Sequence, residues 1–273
     1  MENNNIDHEM EFLKDVKDND RFIVIAGSTS SGKTYFIVSF VNMAVMYRLF
    51  DEVHVISPTI NVEVNGSYDF MKYNKIFKLY SQFNTTIIDE MKRDTTKRKL
   101  LICDDATSYL MENKYNTNLT ELVTCVRHYR VTMFCLIHSL SYVLLPVLRQ
   151  NVSHMFIGNY MNDGVIKKVW EQFLSRKIRR YENFYLPYDE SQKEKQNLIY
   201  LCTRADGYNG IEYHVKKWEI LQYHDKITKN GNAMIIKPKT EDQKYVEKVK
   251  GELHKKQIKK KLIPQNYKFN VVV

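Results

Sequence analysis

Five short runs of apolar residues stand out along the first 160 positions. They are FIVIA (Phe22–Ala26), EVHVISP (Glu52–Pro58), KLLICDDA (Lys99–Ala106), VTMFCLIHS (Val131–Ser139) and HMFIGNY (His154–Tyr160). Their length, β-branched content and bounding turn residues predict buried strands. Between them, YFIVSFVNMAVMY (Tyr35–Tyr47), LTELVTCVRHY (Leu119–Tyr129) and DGVIKKVWEQFL (Asp163–Leu174) repeat apolar positions at helical spacing. Residues 66–99 are mixed and read as mostly helical. NLIYLCT (Asn197–Thr203) and IEYHVKKWEI (Ile211–Ile220) suggest late strands. Strand and helix in alternation predict an α/β fold, a largely parallel sheet covered by helices with ligands at the carboxyl ends of its strands. No internal repeat is present.

Composition adds a boundary to this picture. The 273 residues, 44% of them hydrophobic, suffice for one large α/β domain with appendages. The charge is uneven: residues 237–268 carry eleven lysines against four acids, which is +7 of the chain's formal +9. We therefore expect a polar N-terminal segment (1–20), a main domain (21–225) and a lysine-rich C-terminal extension (226–273) suited to a polyanion. Cys103, Cys125, Cys135 and Cys202 form no C-x-x-C pair, so neither zinc nor a disulfide framework is indicated. The start, MENNNIDHEMEF, lacks the features of a signal peptide. MFCLIHSLSYVLLPVL is interrupted by His138, Ser139, Ser141 and Pro146, which argues against a membrane span. A soluble protein of a reducing compartment is expected.

The chemistry begins where the first strand ends. GSTSSGKT (Gly27–Thr34) places the G-x-x-x-x-G-K-[ST] pattern between a strand and a helix, the context that makes it a P-loop, or Walker A motif. Gly27 and Gly32 let the backbone N–H groups turn inward to cradle phosphate oxygens. Gly27, Ser28, Thr29, Ser30, Ser31, Gly32, Lys33, Thr34 and Tyr35 form the expected ATP-binding set. Lys33 is expected to reach the β- and γ-phosphates, and the Thr34 hydroxyl to hold Mg²⁺.

LLICDD supplies the second half of that site. An apolar strand delivers Asp104 to the metal, in the manner of a Walker B acid. Asp105 can then orient or deprotonate the attacking water. Two consecutive acids there favour hydrolysis over nucleotide storage.

The stretch Val126–Asn159 adds Arg127 beside His128, an apolar strand ending at His138, and P-x-x-R-x-N over Pro146, Arg149 and Asn151. With GSTSSGKT and LLICDD in that order, residues 20–175 resemble the genome-packaging ATPases of poxviruses and other large DNA viruses, within the FtsK/HerA class of ASCE P-loop motors. The resemblance implies an oligomeric ring, a pentamer or hexamer, that uses ATP and Mg²⁺ to move double-stranded DNA into a capsid. It implies viral capsid proteins as partners, and as location the assembly site in the cytoplasm of an infected cell, or the virion. His138 stands where the family usually has a glutamine that senses the γ-phosphate, and imidazole can make a similar bond. Arg127 and Arg149 match the family's two arginines, either of which can serve as a finger to a neighbouring subunit.

Beyond residue 175 the residues speak for themselves. SRKIRRYENFYLPY mixes Arg176, Lys177, Arg179 and Arg180 with Tyr181, Phe184 and Tyr185. That mixture suits phosphate contacts with aromatic support, or a solvated helix end packed by its aromatics. Lys255, Lys256, Lys259, Lys260 and Lys261 form a second candidate DNA contact or a solubilising run. A P-loop nucleoside or nucleotide kinase is the rival enzyme. The chain lacks the paired cysteines of zinc-bearing thymidine kinases, and its double acid suits water attack. A nucleotide-gated DNA- or capsid-binding adaptor with little turnover is the rival binding module.

Overall fold

The computed structural model describes residues 4–60, 67–68, 71–72, 75–113, 115–138, 146–159, 162–176, 178–194, 197–204 and 211–213. Its centre is an eight-stranded sheet in the order β3-β2-β4-β5-β1-β6-β7-β8. The strands are β1 (Phe22–Ala26), β2 (Glu52–Ile56), β3 (Phe77–Tyr80), β4 (Lys99–Cys103), β5 (Val131–Ile137), β6 (Val152–Gly158), β7 (Leu198–Cys202) and β8 (Ile211–Tyr213). From β3 to β6 every pairing is parallel, and β7 and β8 extend the sheet antiparallel.

The apolar runs read as strands because both faces of the sheet are covered. Val24 and Ala26 of β1, Leu101 and Cys103 of β4, and Met133, Cys135 and Ile137 of β5 share one core. It is closed by α3 (Thr85–Arg93), α4 (Thr107–Glu112), α5 (Thr117–Thr124), α8 (Asp163–Val169) and α9 (Glu182–Gln192). The alternate positions, Ile23, Ile25, Leu100, Ile102, Phe134 and Leu136, face the other core under α1 (Asn4–Asp18) and α2 (Lys33–Met46). Period-two alternation thus sorts each strand between two layers.

Several expectations shift at their edges. Residues 66–99 contain a strand, β3, as well as α3. In β3 only Phe77 is buried, as befits an edge strand with no continuous apolar run. The helix expected over 119–129 is two pieces, α5 and the single turn α6 (Val126–Tyr129), which ends at Arg130 in the left-handed region. Residues 163–174 pass from α8 into a π-helical turn, Trp170–Leu174.

Near the N-terminus, α1 packs against the sheet. Within α1, Phe12 and Val16 are fully buried on the α2 side of the sheet. Phe12 meets the rings of His154, Phe156 and Tyr200 at 5.2, 5.2 and 5.7 Å. Asp15 of the same helix accepts from Arg21 at 2.7 Å, from His154 Nε2 at 2.7 Å and from Arg204. The boundary at 225/226 and the extension beyond it lie outside the described residues. No described helix is long and apolar enough to cross a membrane.

Candidate functional site

The chain leaves β1 through α2 toward β2 and β3, returns through β4, inserts β5 beside β1, and crosses to β6 on the other flank. Connections therefore depart from the middle of the sheet in opposite directions, and the crevice this opens lies at the carboxyl ends of the strands. The carboxyl ends of β1, β4, β5 and β6 carry GSTSSGKT, DD, His138 and Gly158-Asn159. One strand, β5, separates the P-loop strand from the strand of the two acids.

The P-loop is shaped by close contact. Gly27 donates to Ile137 O at 3.1 Å, tying the loop to the end of β5. Gly32 has φ 95°, which glycine alone adopts without strain, and α2 starts at the next residue with no side-chain cap. Its first N–H groups face the loop, an anion-binding terminus. The Ser31 side chain is fully buried between two glycines. A Cβ on Gly27 would lie 2.5 Å from Ser31 Oγ, and one on Gly158 would lie 2.7 Å from Ser31 Cβ. Ser28 Oγ donates to Asn159 O at 3.3 Å, joining the loop to the end of β6. Thr29 and Ser30 are exposed at its tip, and Tyr35 is half-buried in the first turn of α2.

Lys33 bends back along the loop, donating to Gly27 O at 2.8 Å and Ser28 O at 2.9 Å. Burial pushes its amine below the ordinary value, and the carboxylates of Asp104 and Asp105 oppose that shift. Thr34 Oγ1 lies 3.4 Å from Asp104 Oδ2, so the hydroxyl and the carboxylate expected at a metal stand together. Hard oxygen donors of this kind fit Mg²⁺. Tyr68 Oη also donates to Asp104 Oδ2, at 2.7 Å, and is buried. Burial raises the Asp104 carboxyl, against the Tyr68 hydrogen bond. Burial likewise pushes the Tyr68 phenol well up.

Asp104 and Asp105 stand in a turn beyond the end of β4 rather than on the strand. Asp105 has φ 52°, a left-handed position uncommon for a non-glycine residue. It is held because its N–H donates to Asp104 Oδ1 at 3.0 Å and because Ala106 N–H reaches Leu136 O of β5 at 2.9 Å. The turn brings Asp105 Oδ1 to 3.0 Å from His138 Nε2. His138 Nδ1 approaches Lys33 Nζ at 3.5 Å, and its backbone N–H donates to Thr107 Oγ1 at 2.9 Å.

The structure thus gathers Gly27 to Tyr35, Asp104, Asp105 and His138, and it separates the two arginines from them. Arg127 lies in α6 immediately before β5, and Arg149 in α7 (Pro146–Asn151) immediately before β6. Both are at the amino ends of the strands, opposite the P-loop. A seven-residue strand such as β5 spans on the order of 20 Å. Neither arginine forms an ion pair with a described residue, and Arg149 Nε is buried without a hydrogen-bond partner among them.

Arg176, Arg179 and Arg180 are exposed after the π-helical turn. Their aromatic neighbours serve packing: Phe184 is fully buried, and the Tyr181 ring meets Trp170 edge-on at 5.6 Å and Tyr185 at a tilt at 5.4 Å. Lys177, Lys255, Lys256, Lys259, Lys260 and Lys261 lie outside the described residues. The sequence reading missed Tyr68, which belongs to no motif, and Gly158, whose place at the end of a strand signals a close backbone approach.

No protein-family model and no curated protein sequence matches the chain. Solved structures do. The DNA-packaging ATPase B204 of Sulfolobus Turreted Icosahedral Virus superposes with a TM-score of 0.55 at 15% identity, covering 72% of this chain and 97% of that one. The genome packaging NTPase B204 of Sulfolobus turreted icosahedral virus 2, in complex with ATP-gammaS, gives 0.53 at 13% identity over 71% of this chain and 96% of its own. The same protein in complex with AMPPCP gives 0.51 at 12% identity, covering 71% and 97%. The chain therefore has the α/β P-loop fold of these viral proteins.

Proposed function

We propose that this protein is an ATP-driven motor that moves double-stranded DNA into a preformed viral capsid. The observation that carries the reading is the gathering of Lys33, Thr34, Asp104, Asp105 and His138 at the carboxyl ends of three neighbouring strands. Such a site can bind a nucleoside triphosphate and place a water against its γ-phosphate. In turnover Lys33 leaves its loop carbonyls to meet the β- and γ-phosphates. Thr34 and Asp104 would hold Mg²⁺, which neutralises charge on the phosphates when bound. Asp105 and His138 stand on the side from which water attacks.

The DNA part of the reading is supported by a fold shared along almost the whole length of a DNA-packaging ATPase. Exposed Arg176, Arg179 and Arg180 and the lysine-rich extension offer contacts to phosphates, which carry no base information. We assign the protein to a homo-oligomeric ring that docks on capsid protein at the assembly site in the infected cell.

ATP turnover measured with and without duplex DNA tests the reading, with Lys33→Ala as the inactive control. Duplexes of unrelated sequence should stimulate hydrolysis alike. Indifference to DNA combined with phosphate transfer to a nucleoside would make the protein a kinase. Nucleotide binding without turnover would make it an adaptor.

A further inference from the structure

The chemistry of the two acids and the histidine admits a sharper assignment than the sequence allowed. By order along the chain, Asp105 is the base for the water and His138 the sensor of the γ-phosphate. The geometry points to an exchange of these roles: His138 Nδ1 is the base that receives the water proton, and Asp105 is the group that orients and charges it. The inference rests on the ATPase reading and deepens it.

Three contacts carry it. Asp105 Oδ1 lies 3.0 Å from His138 Nε2, a distance at which Nε2–H donates to the carboxylate. That fixes the neutral ring as its Nε2–H tautomer and leaves Nδ1 as an acceptor. Nδ1 faces Lys33 Nζ at 3.5 Å, and Lys33 is the residue that meets the γ-phosphate. The acceptor nitrogen is therefore turned toward the lysine of the phosphate-binding loop. When Lys33 turns to the phosphates, Nδ1 loses its nearest donor and is open to a water.

The backbone enforces the arrangement. Asp105 sits at φ 52°, and this left-handed turn is pinned to the Asp104 carboxylate and, through Ala106, to β5. On the other side the His138 backbone N–H is held by the Thr107 hydroxyl at 2.9 Å. A strained turn at a functional site, maintained by its surroundings, is what a fixed carboxylate-imidazole pair requires. Among the described residues the charged groups around His138 are Lys33 from α2 and Asp105 from the turn after β4, with Asp104 behind them.

The step balances. The water oxygen forms a bond to the γ-phosphorus as the bond from that phosphorus to the bridging oxygen breaks, and the electron pair leaves on ADP. The water proton passes to His138 Nδ1. The imidazolium is stabilised by Asp105 and returns its proton to solvent.

Two measurements decide it. The first is the pH dependence of turnover at saturating ATP and Mg²⁺ for wild type and for His138→Gln. Gln can hydrogen-bond as a sensor but cannot take a proton. Turnover by His138→Gln should fall by ~10²- to 10⁴-fold with ATP binding kept within a few fold. The wild-type pH profile should lose a limb in the variant, because Gln takes up no proton. Hydrolysis by His138→Gln near the wild-type rate with the same pH profile overturns the exchange and leaves the ATPase reading standing. No hydrolysis by the wild type overturns that reading and this role with it.

The second measurement needs neither nucleotide nor turnover. In protein labelled with nitrogen-15 at its eight histidines, the His138 ring is identified by the signals that His138→Gln removes. It should be the Nε2–H tautomer in the wild type, and Asp105→Asn should disturb it. An Nδ1–H tautomer in the wild type overturns the inference, because that nitrogen could then accept nothing.

Discussion

Ser31 shows how narrowly the P-loop is set at the scale of one residue. Its side chain fills the space left by two missing Cβ atoms, at Gly27 in the loop and at Gly158 at the end of β6. Gly27 belongs to the motif and was legible; Gly158 is required for the same reason and lies 131 residues further along. Gly158→Ala should push Ser31 out of place, lowering stability by about 1–3 kcal/mol and weakening ATP binding. Urea denaturation and a nucleotide titration measure the two. Unchanged affinity would separate the β6 contact from loop geometry. Tyr68 is the other residue without a sequence signal, since its phenol reaches Asp104 from the segment between β2 and β3. Tyr68→Phe removes a donor to a buried carboxylate, worth ~1.5–3 kcal/mol. It should also raise the Mg²⁺ concentration needed for half-maximal nucleotide binding, read by fluorescence of an ATP analogue. An unshifted Mg²⁺ midpoint would make Tyr68 a packing residue alone.

Among the elements, α1 was the least legible. Phe12, Leu13 and Val16, which it buries, are scattered among acids, lysines and asparagines and do not advertise a core helix. Its docking depends on partners far along the chain, His154 on β6, Tyr200 on β7 and Arg204, which no local pattern reveals. The central strands were legible for the opposite reason: burial on both faces demands mostly apolar runs, and β1, β4, β5, β6 and β7 are mostly apolar and buried throughout. The motifs at their carboxyl ends were legible because phosphate chemistry fixes residue type and spacing, whereas support from β6 and Tyr68 is set only by tertiary contact. The α1 dock has a pH signature. Burial lowers the His154 affinity for protons although Asp15 opposes it, so the folded ring stays neutral, with Tyr200 donating to Nδ1 at 2.9 Å. Burial acts the same way on His54, which is held down to about 4 against Glu52. As pH falls below the ordinary imidazole value of 6.5, the unfolded chain binds protons that the folded one refuses, and stability is lost. Asp15 adds to this only in stronger acid. Burial would raise its carboxyl, but the bonds from His154 and Arg21 outweigh that and hold it well below its usual range. His154→Gln should flatten the fall in stability below pH 6.5, by at most ~1.4 kcal/mol per pH unit. Denaturation midpoints across that range measure it, and an unchanged slope would show that His154 titrates alike in both states.

For the whole molecule the telling geometry is the distance between the site and its arginines. Arg127 and Arg149 precede β5 and β6, while the phosphate-binding loop follows β1, so the length of the sheet lies between them. An arginine at the amino end of the strands cannot reach its own subunit's γ-phosphate. If either acts in the reaction, it does so across an interface with a second copy, where a finger stabilises the charge of the neighbour's transition state. The defect of an arginine-deficient subunit is then separable from the defect of a subunit without Lys33. Arg149→Ala keeps its own Lys33, Thr34, Asp104 and Asp105 but offers its neighbour nothing; Lys33→Ala offers a finger and cannot use one. Each parent alone should be slow, by ~10³-fold or more for loss of the finger. Mixed, they should form interfaces with one intact site, so that activity exceeds the sum of the parents and rises with total protein concentration. Repeating the mixture with Arg127→Ala identifies which arginine crosses the boundary, because one whose role is only to brace α6 or α7 within its own subunit gives no rescue. Mixed oligomers that assemble, as judged by light scattering, and yet recover no activity with either variant would remove both arginines from the mechanism. They would leave hydrolysis to the Lys33, Asp105 and His138 of a single chain.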